Sequence, residues 1–306
     1  MVEEDVIEAL EPLKRLSKDL AAAAAGLSIP EVRYLVDSYY TMQDARIRSA
    51  SQIRAMGETE EPHVVLNWFN VQAEMLENQI KRALDKWTEA QKLGRWCKSI
   101  IGVGPVITAG LMSHIDITKA ETAGAIWRFA GVDPTLVWKR KTKRPYNAKL
   151  KVLCTFKLGE SFVKVQNNEK DFYGKLYAQR KKLEQAKNEE GKFSEDAARI
   201  LTEKNFDKKT EAYKSYSKGK LPPAHIHARA LRYAVKIFLS HYHEAAYKLH
   251  FKKAPPYPFA IAILGHAHKI NMPLLSIEPA VADDLEDEMN IEGLDVKNLT
   301  DIDDFE

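Results

Sequence analysis

The stretch 99-SIIGVGPVITAGLMSHIDI-117 joins two apolar segments of helical character through Gly102-Val103-Gly104-Pro105 alone. So short a joint requires a sharp backbone turn, and glycine supplies it at no steric cost. In a helix-hairpin-helix arrangement, Gly-x-Gly also lets the backbone lie against a nucleic-acid strand. The amides of the turn and of the next helix's first turn then donate to a phosphate, and a side chain at either glycine would hold that phosphate away. Pro105 suits the first turn of the second helix, where its missing N–H has no helical partner and its φ is already set. Ala109 and Gly110 permit close helix packing in the amphipathic run that follows. The same pattern also serves as an ordinary tight turn between packed helices, so its surroundings decide its reading.

Those surroundings are basic. The net charge of +3 conceals an asymmetry: 45 of the 46 lysines and arginines, but only 31 of the 43 acids, precede residue 277, a surplus of 14 cations. The densest positive run is 138-WKRKTKRPYNAKLKVLCTFKLGESFVKV-165, with Trp138, Tyr146, Phe156 and Phe162 interleaved. Phosphate contacts with base stacking need that mixture, although a solvated face over a buried aromatic side gives the same letters. The residues singled out for nucleic-acid contact are Gly102, Val103, Gly104 and Pro105 at the turn, and Lys139, Arg140, Lys141, Lys143, Arg144, Lys149 and Lys151 as phosphate contacts. Such contacts position a protein without reading bases.

Elsewhere the periodicity is helical, and an all-α fold is expected. Residues 3–25 favour helix. In 28-SIPEVRYLVDSYYTMQDARIRSASQIRAM-56, Ser28 is a cap, Pro30 falls in the first turn and Glu31 follows. The next stretch puts Val65, Trp68, Gln72, Met75, Gln79, Leu84 and Trp87 near one stripe at three- and four-residue steps. Two long helices joined around Gly57 make an intramolecular antiparallel hairpin or a dimerising coiled coil, and both readings stay open. The expected organisation is a helical hairpin or coiled-coil region over 1–94, a helix-hairpin-helix-containing helical domain over 95–270, and an acidic tail over 271–306. The tail's composition is that of a segment disordered until bound. It would compete with nucleic acid for the basic surface, recruit a basic partner, or simply be solvated.

Cys97 and Cys154, the two cysteines, lack the spacing of a disulfide framework or metal knuckle. The first thirty residues carry acids among their apolar positions, and no run approaches the roughly 20 apolar residues of a membrane span. A cytoplasmic protein without membrane contact is therefore expected. Three His-x-His pairs occur, at 225/227, 241/243 and 266/268. On a helix, residues two apart point in different directions, so the first two pairs read as ordinary polar contacts, and no metal or cofactor is assigned.

The order of motifs, Gly-Val-Gly-Pro-x-x-x-Ala, a helix closing as FAGVDP, then NAKLK and later 224-AHIHARALRYAVKIFLSHYHE-244, resembles the C-terminal half of insertion-sequence transposases of the IS-one-ten and IS-one-sixteen group. The likeness covers about residues 60–250. It implies a helix-hairpin-helix domain that works with DNA and, in known members, a structured guide RNA, beside a RuvC-like nuclease domain and a nucleophilic serine. Two departures matter. The helical pattern of residues 1–95 leaves no place for a RuvC-like sheet, and 135-TLVWKRKTKR-144, where the resemblance implies the serine, contains none. Only Thr135 and Thr142 offer hydroxyls there, and Ser161 downstream reads as a small residue at a helix contact. No catalytic residue is assigned. The expected function is a transposase-like protein that binds DNA or structured RNA without strand-transfer chemistry of its own. The alternatives are an active recombinase subunit using a hydroxyl or a partner's nuclease domain, and a protein-interaction module.

Overall fold

A computed structural model describes residues 16–56, 64–139, 141–256 and 270–273. Among these the protein is all-helical, with no strand. No described helix is long and apolar enough to cross a membrane. The chain forms two compact units, one of residues 1–98 and 104–116, the other of 99–103 and 117–306. The joint around Gly57, residues 1–15, Arg140, the third histidine pair and the acidic residues from 278 onward lie outside the described residues.

The first unit begins with α1 (Lys18–Ala23), capped by Ser17, whose hydroxyl accepts from the Leu20 amide. α2 (Ile29–Met56) starts as its sequence predicts. The Glu31 carboxylate accepts from both the Ser28 amide at 2.7 Å and the Ser28 hydroxyl at 2.6 Å, closing the first turn. α3 (Val64–Glu89) packs along α2, and the cross-contacts define opposite chain directions. Near one end Trp87 Nε1 donates to the Leu27 carbonyl at 2.9 Å; farther along, Arg46 pairs with the buried Glu77 at 2.7 Å.

The buried face of α3 comprises Gln72, Glu77, Ile80, Ala83, Leu84, Trp87 and Thr88. Gln72, Leu84 and Trp87 belong to the expected stripe. Val65 is exposed, and Ile80 and Ala83 replace Met75 and Gln79. The reason is a third helix. α5 (Pro105–His114) packs on both α2 and α3, and its Val106 and Ala109 join Val32, Val36, Ile80, Leu84 and Trp87 in one core. The boundary expected at 94/95 is therefore not where the compact units divide, because α5 belongs with the N-terminal helices. Between α3 and α5, α4 (Lys92–Ser99) buries Gly94, Trp96 and Cys97, and Lys98 pairs with Asp85 at 2.8 Å and with Glu89.

The second unit is built on α12 (Pro223–Phe251), which buries side chains along most of its length and ends at Lys252 in the left-handed region. α9 (Tyr173–Glu189) and α6 (Ala123–Phe129) pack against it. So does a helical run made of α7 (Ala148–Val152), a wide π-type turn over Leu153–Gly159 and α8 (Glu160–Val165). Phe162, Tyr173 and Phe238 form a ring cluster with centroids 5.0–5.6 Å apart. The charged segment after Gly191 holds α10 (Ser194–Glu203) and α11 (Glu211–Ser217), which close a small core of Phe193, Ala197, Ile200, Tyr216, Leu221 and Ile226. Asn188 ties this segment to α9 by exchanging two hydrogen bonds with the Leu221 backbone, at 2.8 and 2.9 Å. Both cysteines are buried free thiols, and burial alone pushes Cys154 up to about 12.

A Cβ at Gly94 would lie 2.0 Å from the Thr88 carbonyl oxygen, a backbone atom that cannot swing aside. Gly94→Ala should therefore cost about 2 kcal/mol or more, in the range for overpacking, and lower the melting temperature followed by circular dichroism. An unchanged melting temperature would mean that the α3–α4 turn is looser than described.

Candidate nucleic-acid interface

The turn between α4 and α5 is built from opposite requirements at its two glycines. Gly102 has φ +90, a conformation L side chains rarely adopt, and a Cβ there would meet Val165 at 3.2 Å and Ser161 Oγ at 3.3 Å. Gly104 has φ −87 and ψ 174, and a Cβ there would meet nothing within 4 Å. Gly102 is thus demanded by the fold, whereas Gly104 is not. The Val103 amide donates to the Ile100 carbonyl at 3.0 Å, and the Val103 side chain is buried core. Pro105 is the first residue of α5. Gly104 caps that helix without a side chain, and its carbonyl accepts from the Thr108 amide. Of the four turn residues, Gly102 and Val103 group with the second unit, Gly104 and Pro105 with the first.

The basic segment lies wholly in the second unit and is ordered by its own contacts. Trp138 Nε1 donates to the Thr142 carbonyl at 3.0 Å, and the Thr142 amide and hydroxyl both donate to the Lys139 carbonyl. Lys141 adopts φ 71 within this tight loop. Arg144 lies over the Trp138 ring at 5.6 Å. The segment is anchored to the end of α6, where the Asn147 amide donates to the Phe129 carbonyl at 2.9 Å. Gly131 (φ +65) leaves room for Tyr146 and Lys151, as a Cβ there would sit 2.9 Å from the Tyr146 ring.

Lys139, Lys141, Lys143, Arg144 and Lys149 are exposed. Among the described residues, no carboxylate pairs with the first four. Lys151 departs from the expected role: it is half-buried, with Nζ 4.4 Å from the Tyr146 ring centroid. Trp138 and Phe156 expose 39% and 67% of their surfaces, so two of the four interleaved aromatics face solvent. Phe162 is fully buried, so its part in the pattern is core packing.

The hydroxyls are all engaged. The Thr135 amide and hydroxyl donate to one oxygen of Asp133 at 2.9 and 2.8 Å, a local Asx turn. Ser161 Oγ donates to the Gly102 carbonyl and holds the turn from a residue 59 positions later. No local sequence pattern announces that contact.

The histidines make protein contacts. His241 Nε2 donates to the Ile270 carbonyl, so its Nδ1 accepts from the Tyr173 hydroxyl at 2.8 Å. His227 likewise bridges Glu160 and Tyr177, and His225 meets the Tyr216 hydroxyl at 3.2 Å. His243 Nε2 donates to the Ala120 carbonyl at 2.9 Å. Among the described residues, no group of three or more His, Cys, Asp or Glu could hold a metal.

No family model, no curated protein and no solved structure matches the chain.

Burial holds the His243 imidazole below its ordinary pKa, outweighing the opposing Ala120 carbonyl. A histidine depressed in the folded state contributes stability that is present above the unfolded pKa of about 6.5 and is lost as pH falls through the lower folded value. The wild-type chain should therefore lose more stability between pH 7 and pH 5 than His243→Gln does, as urea titrations at the two values would register. Equal losses would show that His243 takes up its proton as readily in the folded as in the unfolded chain.

Proposed function

We propose that this protein binds nucleic acid, DNA or structured RNA, through its phosphate backbone, and that the segment from Lys139 to Lys151 is the principal contact surface. One observation carries this reading. Lys139, Lys141, Lys143 and Arg144 form an ordered, exposed set of cations without carboxylate partners among the described residues, beside the exposed ring of Trp138. A cationic face that merely keeps a protein dissolved usually intersperses both signs, and it needs neither an internally bonded loop nor an exposed indole. Lys149 extends the same surface. In the proposed helix-hairpin-helix role, the N–H groups at the uncapped start of α5, beginning with that of Gly104, are separate candidate phosphate donors, while Pro105 sets the turn and has no N–H to give.

Binding without strand transfer is favoured because Thr135, Thr142 and Ser161 each donate a hydroxyl proton to a neighbour inside the fold. The resemblance to insertion-sequence transposases fits the same reading, with the chemistry supplied elsewhere. Dimerisation through residues 1–94 is a separate proposal. It rests on Ile47, Val65, Leu66, Phe69 and Val71, apolar side chains that α2 and α3 leave exposed.

The deciding experiment titrates the full chain with a four-way DNA junction, a linear duplex of equal length and a structured RNA at two salt concentrations. The expected result is tight binding that weakens steeply with salt. For duplex DNA, Lys141→Ala, Lys143→Ala and Arg144→Ala together should lower the salt slope by about 0.9 per contact removed. Absence of binding to all three at low salt would overturn the proposal and make a protein partner the next reading.

Gly104→Ala separates the turn's two roles. The conformation and space at 104 tolerate a methyl group, so stability should hold while affinity falls several-fold. Unchanged affinity would remove Gly104 from the interface.

A further inference from the structure

A second set of cations converges inside the second unit, away from the basic segment. Positions 229, 232, 233 and 236 recur at three- and four-residue steps, so they share one face of α12. Arg180 and Glu184 share a face of α9, which packs against it. Glu184 is fully buried and both its oxygens are taken: Arg180 Nη2 lies 2.6 Å from one, and Arg229 Nε 2.8 Å from the other. Arg232 and Lys236 are left with no carboxylate partner among the described residues.

Neither of these two side chains is fully out in solvent. Lys236 Nζ sits 5.2 Å from the Trp127 ring centroid, and the Trp127 indole N–H donates to the Lys236 carbonyl at 3.0 Å. The Arg180 guanidinium covers the Tyr233 ring at 4.9 Å. Burial, then Arg232 and Arg180, bring the Lys236 amine down to about 8. Burial also lowers Arg232, with Arg229 adding to it. Asp133 attracts Lys236, but one of its oxygens already accepts twice from Thr135.

Arg180, Arg229, Arg232 and Lys236 therefore gather around Glu184 and Asp133 where solvent screening is weak, and Lys187 adds its charge beside Arg180, Glu184 and Arg229. A surplus of positive charge in such a place is costly, and protein packing alone would be served better by an apolar side chain at 232 or 236. A dianion would offset much of that positive surplus. The Tyr233 hydroxyl adds a donor: it is buried and makes no hydrogen bond to any described residue. Burial pushes it up to about 12, so it keeps its proton at neutral pH. Guanidinium forks match the tetrahedral, doubly charged oxygens of phosphate better than a lone carboxylate would.

We infer that Arg180, Arg229, Arg232 and Lys236, with the Tyr233 hydroxyl, form an anion site that takes a phosphate group, belonging either to a nucleic-acid strand or to a small phosphorylated molecule. None of these residues lies in the segment from Lys139 to Lys151, so the inference stands or falls apart from the proposed interface.

The test is thermal unfolding of the full chain in sodium phosphate against sodium chloride at matched ionic strength. It is repeated with adenosine monophosphate and with an oligonucleotide carrying or lacking a 5′-phosphate. Phosphate should raise the melting temperature by several degrees. Arg232→Gln with Lys236→Met should abolish that rise while leaving the melting temperature in chloride unchanged or higher, because two repelling charges are gone. Tyr233→Phe should weaken phosphate binding several-fold. Charge removal at Lys141, Lys143 and Arg144 should leave the phosphate effect intact. A monophosphate that outperforms the oligonucleotide identifies a small ligand, and the reverse identifies a strand. Failure of all the phosphate probes to stabilise the chain would overturn the site. So would a double variant that keeps the phosphate effect, or one that is destabilised in chloride.

Discussion

The seating of α9 on α12 is the contact on which the second unit depends. Tyr173, the first residue of α9, anchors one end of it: its ring packs on both Phe162 and Phe238, and its buried hydroxyl donates to His241. Aromatic pairs of this kind add about 0.5–1.5 kcal/mol each beyond the area they bury. The hydroxyl, by contrast, adds direction, because a buried phenol without a partner would be penalised. His241 in turn donates to the Ile270 carbonyl, which fixes its tautomer and brings a distant piece of chain to the same point. Farther along the two helices, the same alternation of ring and polar tip recurs at Tyr177 with His227. Charge takes over at Glu184, gripped by Arg180 and Arg229.

What is legible in the sequence follows from the range of each interaction. Helix starts at Ser28 and Pro105 are readable because a cap or a proline acts within one turn. The solvent-facing character of Lys139, Lys141, Lys143 and Arg144 is readable because so dense a run of charge leaves few alternatives. The buried face of α3 is only partly readable: Ile80 shares its core with Val106 and Ala109 of α5, which arrives from more than twenty residues downstream. Helical geometry excludes the first two histidine pairs as chelates, yet the tyrosine partners of His227 and His241 lie 50 and 68 residues away. The division between compact units is hidden for the same reason as the packing of α5. Lys151 reads as a surface cation in sequence, and no local pattern announces that Gly131 clears a space for it beside Tyr146.

The protein holds its cations in two regimes. Around Lys139 to Arg144 they are hydrated and close to an exposed indole, which favours a long-range field and tolerance of sequence. On α12 they are stacked on rings and pressed toward one another, which favours geometry over range. A chain that meets a polyanion with both regimes would gain encounter rate from the first and discrimination from the second.

The path of the chain between the units has its own consequence. Residues 1–98 and 104–116 make one body, while 99–103 belong with the rest, so neither body is a continuous segment. A fragment cut after Lys98 lacks Val106 and Ala109 from its core, and one beginning at Gly104 lacks the Gly102 carbonyl that Ser161 grips. On the ribosome, the N-terminal helices emerge before the helix that completes their core has been made. Their final packing must wait for α5, and by then the linking turn is already committed to a serine still to be synthesised.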